Sequence, residues 1–212
     1  MAGSEMLLRI VRAMAEKIEE QKEWLTDLDR PIGDSDHGIN MARGFKEVEK
    51  KLSGLEKSDP GAILKTVGMT LVSTVGGSAG PLYGTAFMKA GMALAEKTEI
   101  SMTEFLDAFD QAIAGVKQRG KSEAGEKTML DAMIPALEAM RKAEKEEKRC
   151  EEIFAEGVKA AWAGAESTKE MIATKGRASY VGERGIGHQD PGATSFSLLL
   201  EVTGRCVEDR EL

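Results

Sequence analysis

Apolar side chains return every three or four positions along almost the whole chain, and no stretch alternates as a half-buried strand must. Leu7, Ile10, Met14, Ile18 and Leu25 mark a first helical segment, Met41, Phe45, Val48 and Leu52 a second, and Ile63, Leu64, Val67 and Leu71 a third. A fourth runs from about Pro81 to Glu96, and a fifth carries Phe105, Phe109, Ile113 and Val116. Met129, Met133, Leu137 and Met140 mark a sixth, and Phe154, Val158, Ala161, Trp162 and Ala165 a seventh. The eighth follows Pro191 through Phe196, Leu198, Leu199 and Val202, with Gly204 as a stop. This leaves an all-α fold: eight amphipathic helices, expected to form an antiparallel up-and-down barrel or bundle. Residues 1–212 are expected to be a single domain, long enough for one proper core. Twelve methionines and only 5% aromatic residues suit helix better than sheet.

In such a fold alternate loops lie at the same end. One set reads PIGDSDHG, STVGGSAG, RGKSEAGEK and KGRASYVGERGIGHQD; the other reads SGLEKSD, EKTEIS and AEKEEKRC. The first set is rich in glycine and holds both histidines and three clustered aspartates. Glycine lets backbone N–H groups turn toward a ligand and lets the chain approach it closely. One end of the molecule therefore reads as a binding site and the other as plain turns.

Within LDRPIGDSDHGIN, Asp29, Asp34 and Asp36 could supply oxygen ligands to a hard cation such as Mg²⁺ from one loop. The same residues also suit a turn with helix caps. An EF-hand is excluded: counted from Asp34, its glycine position holds Ile39 and its glutamate position Phe45. His37 and Asn40 open the second helix, where the dipole favours phosphate, although a cap and a surface residue explain them equally. GGSAGPLYG is an anion cradle or a tight interhelical turn. GVKQRGKS fits the P-loop formula by chance, because a helical period precedes it and a loop, not a helix, follows. The next helix is expected near Thr128, with Thr128 and Asp131 forming a cap. The long segment Lys175 to Gly192, with Arg177, Tyr180 and Arg184, reads as a lid or a mobile loop.

A formal charge of −7 without a basic block argues against nucleic acid. No apolar run approaches the ~20 residues of a membrane span. Two cysteines outside any motif, with no signal peptide, read as a cytoplasmic chain with reduced thiols.

Taken together, DLDRPIGDSDHGINMARGF, TLVSTVGGSAGPLYGT, RGKSEAGEKTM and KGRASYVGERGIGHQDPGATS resemble, in order and spacing, the nucleotide-binding L subunit family of dihydroxyacetone kinases. The resemblance implies an eight-helix barrel holding ADP or ATP at one end. It places two Mg²⁺ ions on Asp29, Asp34 and Asp36, and phosphate contacts on His37, Gly38, Ile39 and Asn40 and on Ser78 and Ala79. Gly120 and Met129 fall beside the nucleoside, and Arg177, Asp190, Pro191 and Gly192 on the lid side. Pro31 departs from the family pattern and should stiffen the metal turn. The Ser78–Ala79 order is inverted, which leaves open which of the two contacts phosphate.

The implied activity is half of a kinase. Dihydroxyacetone is held covalently on a histidine of a separate K subunit, and a phosphohistidine on an M subunit recharges bound ADP. A free-standing chain of this length suits that phosphotransferase-system version. With both histidines inside nucleotide-site motifs, this chain is expected not to phosphorylate dihydroxyacetone alone. A homodimer is expected, with a transcriptional regulator as a further partner. The alternatives are the L-type subunit of an ATP-dependent kinase for another ketose such as a tetrulose, and a non-catalytic nucleotide-sensing module.

Overall fold

A computed structural model describes residues 2–209. Its α-helices are α1 (Ser4–Glu20), α2 (Lys22–Asp29), α3 (His37–Leu52), α4 (Pro60–Thr74), α5 (Ala79–Ala93), α6 (Met102–Gly120), α7 (Leu130–Lys145), α8 (Cys150–Ser167) and α9 (Pro191–Glu208). From α3 to α9 each helix packs on the next, and α9 returns to α1, which also touches α3. The ring is therefore closed, and the expected all-α antiparallel barrel is the observed fold. Large side chains such as Ile18, Met41, Phe45, Leu71 and Leu130 are fully buried between its walls. A cavity of about 380 Å³ lies inside, lined by apolar groups that include Leu7, Phe87, Phe105, Met133 and Phe196.

Three details differ from the sequence reading. The first predicted helix breaks at Gln21 (φ −97°, ψ 9°) into α1 and α2, and α2 reaches across to α3 and α9. Ile18 and Leu25 keep their seven-residue spacing across the bend, and no Gly or Pro marks it. Gly204 does not stop α9, which runs on to Glu208; a Cβ at Gly204 would lie 3.2 Å from Phe154 Cβ, so glycine there lets α9 approach α8. Two-residue strands, β1 (Ala2–Gly3) and β2 (Glu99–Ile100), pair antiparallel and are too short to leave an alternating pattern.

Four glycines bring α4 close against α5. Gly61 lies opposite Gly91 and Gly68 opposite Gly84, so a Cβ on any of the four would come within 2.7 Å of backbone on the facing helix. The spacing of seven on both helices repeats the contact after two turns. This wall holds the Gly76–Ala79 turn. Because neighbours run antiparallel, α3, α5, α7 and α9 all begin at the end that carries the glycine-rich loops. Their positive dipole ends meet there.

Candidate functional site

The acidic turn is built around Asp29, the last residue of α2. Its carbonyl accepts hydrogen bonds from Ile32 N (3.1 Å) and Gly33 N (2.6 Å), which curls the chain back on itself. Its carboxylate is buried, and Oδ2 accepts from Asp36 N (2.9 Å) and His37 N (3.3 Å). Asp29 thus caps α3 from across the turn. A Cβ at Gly33 would sit 1.9 Å from Asp29 Oδ1, so only glycine leaves room for that carboxylate. Ser35 takes a left-handed backbone (φ 62°) that swings Asp34 and Asp36 to the same side. One carboxylate oxygen from each of Asp29, Asp34 and Asp36 lies within 4.8 Å of the others. Arg177 Nη2, 2.8 Å from Asp34 Oδ2, is the one ion-pair partner of this trio among the described residues. Hard, converging oxygens with water access on the Asp34 side could hold a divalent cation such as Mg²⁺.

Of the residues at the start of α3, His37 is turned inward. Its Nε2 lies 3.0 Å from Ser195 Oγ, and Ser195 Oγ lies 2.7 Å from Tyr83 Oη, itself 3.2 Å from Gly192 O. This chain of polar contacts joins α3, α5 and α9. Burial lowers the His37 pKa to about 4, against the pull of Asp29, so the ring is neutral at pH 7. Burial also pushes the Tyr83 hydroxyl above its ordinary range. Gly38 is buried, and a Cβ there would fall 1.9 Å from Lys22 O, so its role is to seat α3 on α2. Ile39 is half exposed. Asn40 is buried and accepts a hydrogen bond from Arg43 Nη2 (2.7 Å), while Arg43 Nε bonds Thr74 O (3.0 Å). Gly76 lies against the Asn40 amide.

Ser78, at the N-cap position of α5, makes no side-chain capping bond and is exposed beside Gly77 (φ 65°) and Ala79. Gly120 ends α6, followed by Lys121 in the left-handed region, which confirms that GVKQRGKS is a helix end and not a P-loop. Thr128 N bonds Asp131 Oδ2 (2.7 Å) and Leu130 N bonds Thr128 Oγ1, so the expected cap of α7 is present. Met129 is buried against Gly192. Asp190 caps α9 through Ala193 N (2.7 Å), and Pro191 occupies the first turn. Burial raises the Asp190 carboxyl to about 7 against its bond from Ala193 N, with Asp131 and Asp29 adding to the rise. The long loop is not featureless: it holds short 3₁₀ turns at Arg177–Tyr180 and Gly182–Gly185, with Tyr180 88% exposed.

The fold therefore brings the acidic turn, the start of α3, the Gly76–Ala79 turn, Met129, Arg177 and Asp190–Gly192 to one end. Sequence reasoning did not single out Tyr83, Ser195, Arg43 or Lys127. Tyr83 follows the glycine-rich turn directly and could have been suspected. The others are ordinary polar residues, each with at least one partner far away in the chain: His37 for Ser195, Thr74 for Arg43 and Thr168 for Lys127.

A DAK2 domain family model matches residues 31–204. The chain is 45% identical over 189 residues to the PEP-dependent dihydroxyacetone kinase ADP-binding subunit DhaL of Escherichia coli K12, covering 89% of this chain and 90% of that one. It is 42% identical to the PTS-dependent counterpart of Lactococcus lactis, over 88% of this chain and 89% of that one. In fold it resembles the dihydroxyacetone kinase of C. freundii crystallised with AMP-PNP and Mg²⁺: TM-score 0.75 at 23% identity, covering 96% of this chain and 34% of that one. With a family model spanning most of the barrel and close relatives matched over nearly their full length, this chain belongs to the DAK2 domain family.

Proposed function

We propose that this chain is the ADP/ATP-binding subunit of a dihydroxyacetone kinase of the phosphotransferase-system type. The observation that carries the reading is the convergence of the Asp29, Asp34 and Asp36 carboxylates at the end where four helix N-termini meet. A chain of charge −7 would repel a polyphosphate. Divalent cations held by the three aspartates reverse that repulsion and would shield the phosphoryl group during transfer.

The chain's own residues then divide the work. The N–H groups at the starts of α3 and α5 favour phosphate oxygens, with the Ser78 hydroxyl beside them. Neutral His37, held on Ser195, supplies shape and no positive charge. Arg177, already reaching the acidic turn, is the mobile cation of the lid. Gly120 and Met129 flank the nucleoside. Phosphoryl transfer needs positioning and charge neutralisation more than an acid–base pair, and the site holds no such pair. The acceptor dihydroxyacetone would come on a separate K subunit, and the phosphoryl donor to bound ADP would be a phosphohistidine M subunit. The relatives named as PEP- and PTS-dependent ADP-binding subunits support this choice of donor.

The test is to purify the protein, extract its bound nucleotide, and titrate ADP with and without Mg²⁺. Retained ADP, and tight binding only with Mg²⁺, are expected. Turnover is expected with a K subunit and a phosphohistidine donor, and not with free ATP. An empty protein that ignores ADP and Mg²⁺ would overturn the reading; turnover with free ATP would overturn the donor.

A further inference from the structure

Lys127 lies in the α6–α7 loop with a left-handed backbone (φ 60°), an uncommon conformation for a residue with a side chain. Only 1% of it is exposed. Its Nζ donates three hydrogen bonds: to Thr168 O (2.6 Å), to Gly185 O (2.9 Å) and to His188 O (2.6 Å). An ammonium has three protons, and all are used. No carboxylate is recorded within ion-pair distance of it among the described residues, so this buried cation serves carbonyl groups alone. Burial pulls its pKa down, with the field of Asp190 opposing.

These three carbonyls share one geometric property. Thr168 stands at the exit of α8, and Gly185 and His188 stand at the far end of the long loop. Beside them Gly187 N bonds Lys169 O (2.7 Å), and Asp190 N bonds Thr168 Oγ1 (2.8 Å). Segment 169–187 is thus a loop with a closed neck, and Lys127 is the bolt through that neck. Past the neck the loop opens to solvent, with left-handed glycines at 176 and 182 and an exposed Tyr180. Lys127 also lies two residues before Met129 and seven after Gly120. One short segment therefore carries both the proposed nucleoside contacts and the bolt.

We propose that Lys127 is a positioning residue that clamps the neck of loop 169–187, holding Arg177 and Asp190 in register with the α6–α7 loop and slowing release of bound nucleotide. The proposal rests on the nucleotide reading above for its second half, while the clamp itself does not. Removing the ammonium leaves the His188 carbonyl without its donor and leaves the buried Thr168 and Gly185 carbonyls with only their longer backbone bonds from Met171 N (3.2 Å) and His188 N (3.3 Å), so the neck loses its cross-link and opens to water.

The experiment compares wild type with Lys127→Met, which keeps the length of the side chain and loses the donor. Trypsin cleavage after Lys175, Arg177 and Arg184, in nucleotide-free protein, is expected to accelerate roughly tenfold or more. The dissociation rate of a fluorescent ADP with Mg²⁺ is expected to rise about tenfold, with association rate and stoichiometry within about threefold. A variant that is simply less folded would lower the active fraction and leave the dissociation rate of the bound population unchanged, and that result overturns the positioning role. Cleavage within about twofold of wild type overturns the clamp, even if wild type proves not to bind ADP. Should Lys127→Met fail to fold, hydrogen exchange on wild type decides. The Gly187 and Asp190 amides at the neck should exchange at least about tenfold more slowly than Ser179 and Val181 beyond it, and equal rates overturn the clamp.

Discussion

Gly84→Ala tests the α4–α5 wall on which the Gly76–Ala79 turn depends. A Cβ at position 84 would lie 2.3 Å from Val72 Cγ2 and 2.7 Å from Gly68 O. Val72 is 43% exposed and can rotate away. The Gly68 carbonyl belongs to the backbone of α4 and cannot. Ordinary contact begins at 3.4 Å, so the two helices must part by about 0.7 Å, the difference between 3.4 and 2.7 Å. Overpacking of this kind costs ~1–3 kcal/mol, and backbone obstruction puts it at the upper end. Alanine returns ~1 kcal/mol of helix propensity. The expected net loss is about 2 kcal/mol, a fall of roughly 4–8 °C in Tm for a chain of this size. Since α5 begins at Ala79, the same displacement shifts Ser78 and Ala79, and affinity for ADP with Mg²⁺ falls with the stability. The assay is calorimetry or urea unfolding beside Gly54→Ala, where a Cβ meets nothing within 4 Å. Gly54→Ala should melt at or slightly above wild type. A Gly84→Ala protein as stable as wild type, or an equal loss in Gly54→Ala, would refute the close-approach argument.

Two further outcomes follow from the site. Asp29→Asn weakens the two bonds that the carboxylate accepts from Asp36 N and His37 N, and should cost about 1–2 kcal/mol in metal-free protein. Asp34→Asn, at an exposed position, should stay within about 0.5 kcal/mol of wild type while losing Mg²⁺-dependent ADP binding. Melting in chelator beside ADP titration separates these two effects, and equal melting losses would contradict the division of roles. For pH, the Asp190 carboxyl sits at about 7 in the fold, above its ordinary value. The native state therefore holds that proton more tightly, and the stability contributed is full at low pH and lost as pH rises through about 7. Asp190→Asn, which can still cap α9, should remove this fall between about pH 4 and 7, so the difference in Tm shifts in the variant's favour as pH rises across that window and levels off above it. A constant gap would show that the carboxyl is not buried as described.

The apolar period alone determined that the chain is helical and how many walls the barrel has. Helix faces must be buried, and a period of three to four residues can be buried only by helices. The motifs also marked the loops that the fold gathers at one end, because glycine and aspartate cluster in those turns and not in the opposite ones. The bend at Gln21 stayed invisible, since Ile18 and Leu25 hold their spacing across it. Gly204 read as a stop because a close approach to Phe154 on α8 leaves no local trace. The contact of His37 with Ser195, which in turn meets Tyr83, joins residues far apart in sequence and left no trace there. Nothing in the sequence sets Lys127 apart from the other lysines of the chain. Only the packing of three distant carbonyls around its Nζ makes it a buried clamp. Periodicity is a local property and is written in the order of residues; burial and hydrogen-bond partnership are settled by which segments meet, and that is decided when the ring closes.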